Sequence, residues 1–229
     1  MNIYVLTTRN EERVQHLNFL LNGIDFEFID SLGIDELKKL ENEFSKESLK
    51  YRKKALMIGE FGAFSTHSMA WEKILKSNEL GIIIEDSADF VQDASLLLSE
   101  EVRQQIVNCG LVSFSVHPDR HSNSKYKDMG PILFNEIASK KAYPIRCYGL
   151  TPGVAKTLLK NMDKTGMIQP VDKWMSIYKM SGVSGFLSNV SVATRKKDLK
   201  SIANVRRGKA SLNPLNLIYR RINKIKYKY

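Results

Sequence analysis

Three β-branched residues, Ile82-Ile83-Ile84, run directly into Glu85-Asp86-Ser87. A short apolar run of this kind reads as a buried strand, and α/β folds place ligand-binding groups where such strands open onto solvent. Two carboxylates there can hold a divalent cation, and the cation can neutralise a diphosphate as it departs. Acids in the same place can instead cap a following helix, with Ser87 and Asp89 assisting. The local sequence leaves both readings open.

A second cluster, His117-Pro118-Asp119-Arg120-His121, sets two imidazoles around a carboxylate. Histidines four residues apart share a metal only on one face of a helix, and Pro118 prevents that helix. A polar loop is the better reading, and such a loop can contribute to an acceptor pocket. Cys109 and Cys147 lie far apart, without C-x-x-C spacing or a disulfide framework, and read as two reduced core thiols.

The elements that would position these groups follow from periodicity. Ile3-Tyr4-Val5-Leu6, ending in Thr7 and Thr8, reads as a buried first strand, after which Asn10 can cap a helix. That helix would place Val14, Leu17, Leu20 and Leu21 on one face and close at Asn22-Gly23, before a second strand from Phe26 to Ile29 that ends at Asp30. A charged helical stretch spans Asp35 to Lys54. A stronger helix runs from about Gly59 to Ser77 and would bury Phe64, Trp71, Ile74 and Leu75. Beyond the Ile82–Ile84 strand, the pattern predicts a helix from Ala94 to Val107. Strands follow over Leu111–Val116, Pro131–Ile137 and Tyr143–Leu150, then a helix from Pro152 to Asn161. Strands alternating with helices imply an α/β domain with a mostly parallel sheet covered on both faces.

Of 229 residues, 43% are hydrophobic, enough to fill a sizeable core. No apolar stretch approaches the roughly 20 residues of a membrane span, and Met1–Thr8 lacks the features of a signal peptide. The expected location is therefore the cytoplasm. The formal charge of +10 is unevenly placed: residues 195–229 carry twelve Lys or Arg against the single acid Asp198, which leaves the remaining 194 residues at −1. In that tail Leu215, Ile218, Tyr219, Ile222 and Ile225 fall at helical spacing, with Arg220, Arg221, Lys224 and Lys228 among them. This reads as a basic amphipathic helix suited to an anionic membrane surface. A last helix packed on the domain with a solvated basic face is the alternative. Nucleic acid is not expected, since no nucleic-acid module accompanies the charge.

Taken together, Gly59-Glu60-Phe61-Gly62 with Thr66-His67, then Trp71, then Glu85-Asp86 resembles the family 25 glycosyltransferases, which build bacterial lipooligosaccharide. Arg9 and Arg13 look like that family's early arginines, and Tyr148-Gly149 and Pro170-Val171-Asp172 look like its later motifs. The resemblance covers about residues 2–180. It implies a GT-A-like, Rossmann-like fold over residues 1–194, with 195–229 as an appended tail. The activity implied is inverting transfer of a hexose, galactose from UDP-galactose, to a lipooligosaccharide acceptor on the inner face of the bacterial inner membrane.

The same resemblance implies donor-binding roles for Thr8, Arg9, Arg13, Asp30, Glu60, His67, Glu85 and Asp86. It makes Asp172 the base that deprotonates the acceptor, although an aspartate there can also be the N-cap of a helix around Trp174. It implies a divalent cation, Mn²⁺ or Mg²⁺, on Asp86. Ser87, however, stands where the family has a second aspartate of an E-D-D motif, and it removes a hard oxygen ligand. Three outcomes stay open: Asp86 with phosphate oxygens and water still holds the cation, Asp89 substitutes for the missing carboxylate, or the protein is a weak or inactive nucleotide-sugar-binding protein of the same fold.

Overall fold

The computed structural model describes residues 1–52, 55–117, 129–137 and 142–195. Pro118–His121 and the entire stretch with Arg220, Arg221, Lys224 and Lys228 lie outside the described residues, as does the expected C-terminal helix. No helix among the described residues is long and apolar enough to cross a membrane.

The first half forms as its periodicity dictates: β1 Asn2–Thr7, α1 Glu11–Leu20, β2 Glu27–Asp30, α2 Ile34–Arg52, α3 Ile58–Ser77 and β3 Gly81–Glu85. The Asn10 side chain accepts the Arg13 N–H and caps α1; Leu17 within it and Leu21 just past its end are buried. The turn after α1 passes through Gly23 at φ +79°, a conformation that favours glycine. In α3, Phe64, Trp71 and Ile74 are buried as expected, whereas Leu75 is exposed. Adjacent helical residues point about 100° apart, so a single core face takes Ile74 and turns Leu75 outward.

The second half departs further from the local pattern. It comprises β4 Ala88–Phe90, a 3₁₀ turn over Ala94–Leu98, α4 Glu100–Cys109, β5 Leu111–Ser113, β6 Ile132–Leu133 and α5 Phe134–Ile137. Then come β7 Cys147–Leu150, α6 Pro152–Thr165, α7 Val171–Ser176, α8 Tyr178–Ser181, β8 Phe186–Leu187 and β9 Ala193–Arg195. The helix expected over 94–107 is broken at Ser99, which is extended and caps α4 by accepting the Val102 N–H. The strand expected over 131–137 is two residues long and turns into α5. That expected over 143–150 is cut to four, because the Tyr143 N–H bonds to Ser176 Oγ and the Asp172 carbonyl instead of a neighbouring strand. In the other direction, α6 runs on past Asn161 until Gly166, at φ +71°, ends it.

Seven strands form one sheet in the order β2-β1-β3-β7-β5-β8-β6. Five run the same way, while β7 and β6 run opposite, so the mostly parallel sheet has an antiparallel strand at its centre. Side chains alternate across it. Tyr4, Leu6 and Ile83 join the core under α3, α6 and α7, and Ile3, Val5, Ile82 and Ile84 join a second core under α1 and α4. Helices thus cover both faces. β4 and β9 pair separately, and β9 ends on Arg195, where the basic segment begins. Cys147 is buried and Cys109 half-buried, both free thiols whose pKa is pushed up by burial.

Candidate active site

A cleft of about 610 Å³ opens at the carboxyl ends of β1, β2 and β3. β1 delivers Thr7 and Thr8, the end of β2 delivers Ser31, and β3 delivers Glu85, Asp86 and Ser87. The first half of α3 lines one wall with Glu60, Thr66 and His67, and the start of α7 brings Asp172. Tyr143–Arg146, His117 and Arg195 close the opposite side. Seven of the residues expected to form the site therefore meet: Thr8, Arg13, Glu60, His67, Glu85, Asp86 and Asp172. Arg9 and Asp30 do not line the cleft. They pair with each other, Arg9 Nη2 lying 3.1 Å from Asp30 Oδ2, and the guanidinium sits 4.5 Å over the Phe28 ring.

Asp86 is buried and accepts hydrogen bonds on both oxygens. One oxygen takes the buried Arg13 guanidinium, and the other takes the Thr7 hydroxyl at 3.4 Å and the Thr8 N–H at 3.3 Å. No helix follows β3, so the helix-capping reading of the two acids does not hold; the chain enters β4. Asp89 does not line the cleft, and it lies 3.3 Å from His16 Nε2. Among the described residues, no three His, Cys, Asp or Glu side chains come together as a metal-ligand group. Both Asp86 oxygens already accept protein donors and Ser87 Oγ turns to Glu85, so these side chains alone assemble no divalent-cation site among the described residues.

Glu85 is held by a chain of buried groups. The Tyr148 hydroxyl accepts the Trp71 Nε1–H at 2.9 Å and, having one proton, donates it to His67 Nδ1 at 2.8 Å. Burial pushes the Tyr148 pKa well above its ordinary value, so that proton stays in place. The other ring nitrogen, His67 Nε2, lies 3.5 Å from Glu85 Oε1. Ser87 Oγ donates to Glu85 Oε2 at 3.2 Å. Burial alone would raise the Glu85 pKa, but His67, the Arg146 charge and the Ser87 hydroxyl outweigh it and hold the carboxyl below its usual range.

Asp172 moves the other way. Burial raises its pKa, reinforced by the charges of Glu85 and Glu60 and opposed by its own bond to the Lys173 N–H and by His67. The N-cap of α7 is Pro170, which corrects the alternative that Asp172 caps this helix. Glu60 has a structural task besides lining the cleft: it accepts the Met57 N–H at 2.8 Å and lies 3.8 Å from Arg52. Sequence reasoning does not single out Arg146, Arg195 or the Tyr148 hydroxyl. The only signal for Tyr148 was its place in a family motif.

A mixed α/β sheet with an acid-lined cleft at its strand ends defines the class as a ligand-binding α/β protein. The sequence profile of glycosyltransferase family 25, described as LPS biosynthesis protein, matches residues 1–175. The chain belongs to that family, which makes it a glycosyltransferase of lipopolysaccharide biosynthesis, acting in general terms on a sugar donor and a lipopolysaccharide acceptor. Comparison with individually curated proteins gives no significant match.

Proposed function

We propose that the protein is an inverting hexosyltransferase with a GT-A-like arrangement that moves galactose from UDP-galactose to a lipooligosaccharide acceptor, with Asp172 as base. The acceptor hydroxyl oxygen attacks the anomeric carbon, its proton passes to Asp172, and the bond to the diphosphate breaks with its electron pair leaving on UDP. The observation that carries this reading is the cleft at the strand ends of a family 25 chain, in which Asp172 stands with Glu85 and Asp86; its carboxyls are displaced in opposite directions, Glu85 downward and Asp172 upward. A raised pKa makes Asp172 the stronger proton acceptor, and groups driven apart in this way commonly divide acid–base and electrostatic roles. Glu85, kept ionised by its partners, is suited to orienting sugar hydroxyls.

The basic segment from Arg195 onward, at +11, supports a peripheral position on anionic lipid at the inner face of a bacterial inner membrane, where a lipid-linked acceptor would be presented. The test is UDP release from a panel of UDP-sugars with lipooligosaccharide supplied, comparing parent and Asp172→Asn. The expected result is release from UDP-galactose that falls about 10²–10⁴-fold in the variant, with UDP affinity and melting temperature unchanged. Activity within a few-fold of the parent would remove Asp172 as base. UDP binding without release from any donor would make the protein a non-catalytic nucleotide-sugar binder.

A further inference from the structure

The two arginines that the resemblance offers as donor ligands are occupied: Arg9 is paired with Asp30 and Arg13 with Asp86. Arg52 lies 3.8 Å from Glu60 and does not line the cleft. Two other arginines line the cleft, Arg146 and Arg195, and neither has a carboxylate within ion-pair distance among the described residues. Arg146 is the more telling of the two. Its Nε is shut off from solvent and has no hydrogen-bond partner. A guanidinium does not give up its proton in a protein, so a desolvated and unmatched donor there is unfavourable until an anion meets it. Glu85 feels the Arg146 charge, but its two oxygens already face His67 and Ser87.

The topology sets both arginines on one side. β7 lies on the opposite side of β3 from β1, and its antiparallel run puts Arg146 beside the carboxyl end of β3, where the Glu85 N–H bonds to the Arg146 carbonyl at 2.8 Å. Arg195 stands opposite Ala88, one residue past Ser87, and β9 is tied to the end of β5 by the Val116 N–H bond to the Ala193 carbonyl. Arg195 also lies beyond the residues matched by the family profile.

We propose that Arg146 and Arg195 form an anion-binding subsite on the β5–β7 side of the cleft, for a phosphate or carboxylate group of a bound ligand. The identity of that ligand rests on the transferase reading: the group is either the donor diphosphate or an acidic substituent on the acceptor sugar. Planar guanidinium forks suit either anion.

Calorimetry on the full chain, with Arg146→Gln and Arg195→Gln separately and together, distinguishes these without requiring turnover. The probes are uridine, UDP, inorganic pyrophosphate and, on UDP-saturated protein, glucose 6-phosphate. If the subsite holds the donor, UDP and pyrophosphate affinities fall about tenfold or more in either variant while uridine is unaffected. If it holds the acceptor, UDP is unaffected and glucose 6-phosphate binding is lost. Affinities within two-fold for every anion in the double variant overturn the proposal, as does a parent protein that binds none of them at millimolar concentration. Arg195 is exposed, so its variant remains informative if Arg146→Gln fails to fold. Anion binding through these arginines without turnover of any nucleotide sugar would keep the subsite and remove the transferase reading.

Discussion

Replacing Tyr148 by Phe removes one oxygen atom and leaves the ring. Tyr148 is fully buried, and its hydroxyl satisfies both Trp71 Nε1 at 2.9 Å and His67 Nδ1 at 2.8 Å. Phenylalanine fills nearly the same volume, so no sizeable cavity adds to the effect. Two buried nitrogens lose their partner, and each such orphan costs about 1–3 kcal/mol, so the variant should lose about 2–6 kcal/mol. For a chain of this size that corresponds to a fall in melting temperature of roughly 4 °C at the least. Urea unfolding followed by circular dichroism measures the loss at equilibrium. The same variant releases the His67 ring, whose Nε2 faces Glu85, so donor turnover should fall as well. A loss below about 0.5 kcal/mol with turnover intact would refute the chain from Trp71 through Tyr148 and His67 to Glu85, since buried donors and acceptors would then be finding other partners.

Asp86→Asn should destabilise the protein by about 3–5 kcal/mol, because the buried Arg13 loses its counter-charge. Replacing both partners, Arg13→Met with Asp86→Leu, should recover most of that in the same unfolding assay, whereas a double variant as unstable as Asp86→Asn would contradict it. Exhaustive chelation should leave UDP release within about two-fold, because both Asp86 oxygens are engaged by Arg13, Thr7 and Thr8 and Ser87 supplies no second carboxylate for a hard cation; loss of release restored by Mn²⁺ would show the donor set rearranging around a metal. In the pH profile, the acid limb of turnover should lie above the ordinary aspartate value of about 4 and vanish in Asp172→Asn. Stability should carry two opposing slopes. The raised Asp172 favours the fold below its unfolded pKa, and that contribution is lost as pH climbs through its folded value. The lowered Glu85 favours the fold above its unfolded pKa, and that contribution is lost as pH falls through its folded value, so Glu85→Gln should flatten the acid side of the curve.

The elements that follow their expected course are those whose cause is local. Asn10 caps α1 because its side chain reaches the N–H three residues on, and β3 forms from consecutive β-branched residues with no alternative face to expose. The elements that depart from it owe their ends to distant partners. β8 and β9 are two and three residues long, too short to leave a period of their own, and they exist because the β5 region and β4 pair with them. Tyr143 leaves the expected strand because Ser176 and Asp172, about thirty positions away, take its N–H.

The site divides along the same line. Sequence alone determined that acids stand at the exit of a buried strand and that His67 and Trp71 share a helix with Glu60, because spacing along a strand or helix follows from backbone geometry. Only the tertiary structure decided how the charges pair. It buried Arg13 against Asp86, 73 positions apart, turned Ser87 toward Glu85, and left Arg146 and Arg195 lining the cleft without an ion pair among the described residues. Which charge meets which depends on strand order and on the antiparallel entry of β7, and those are set by packing on two faces of a sheet that no local stretch of sequence encodes.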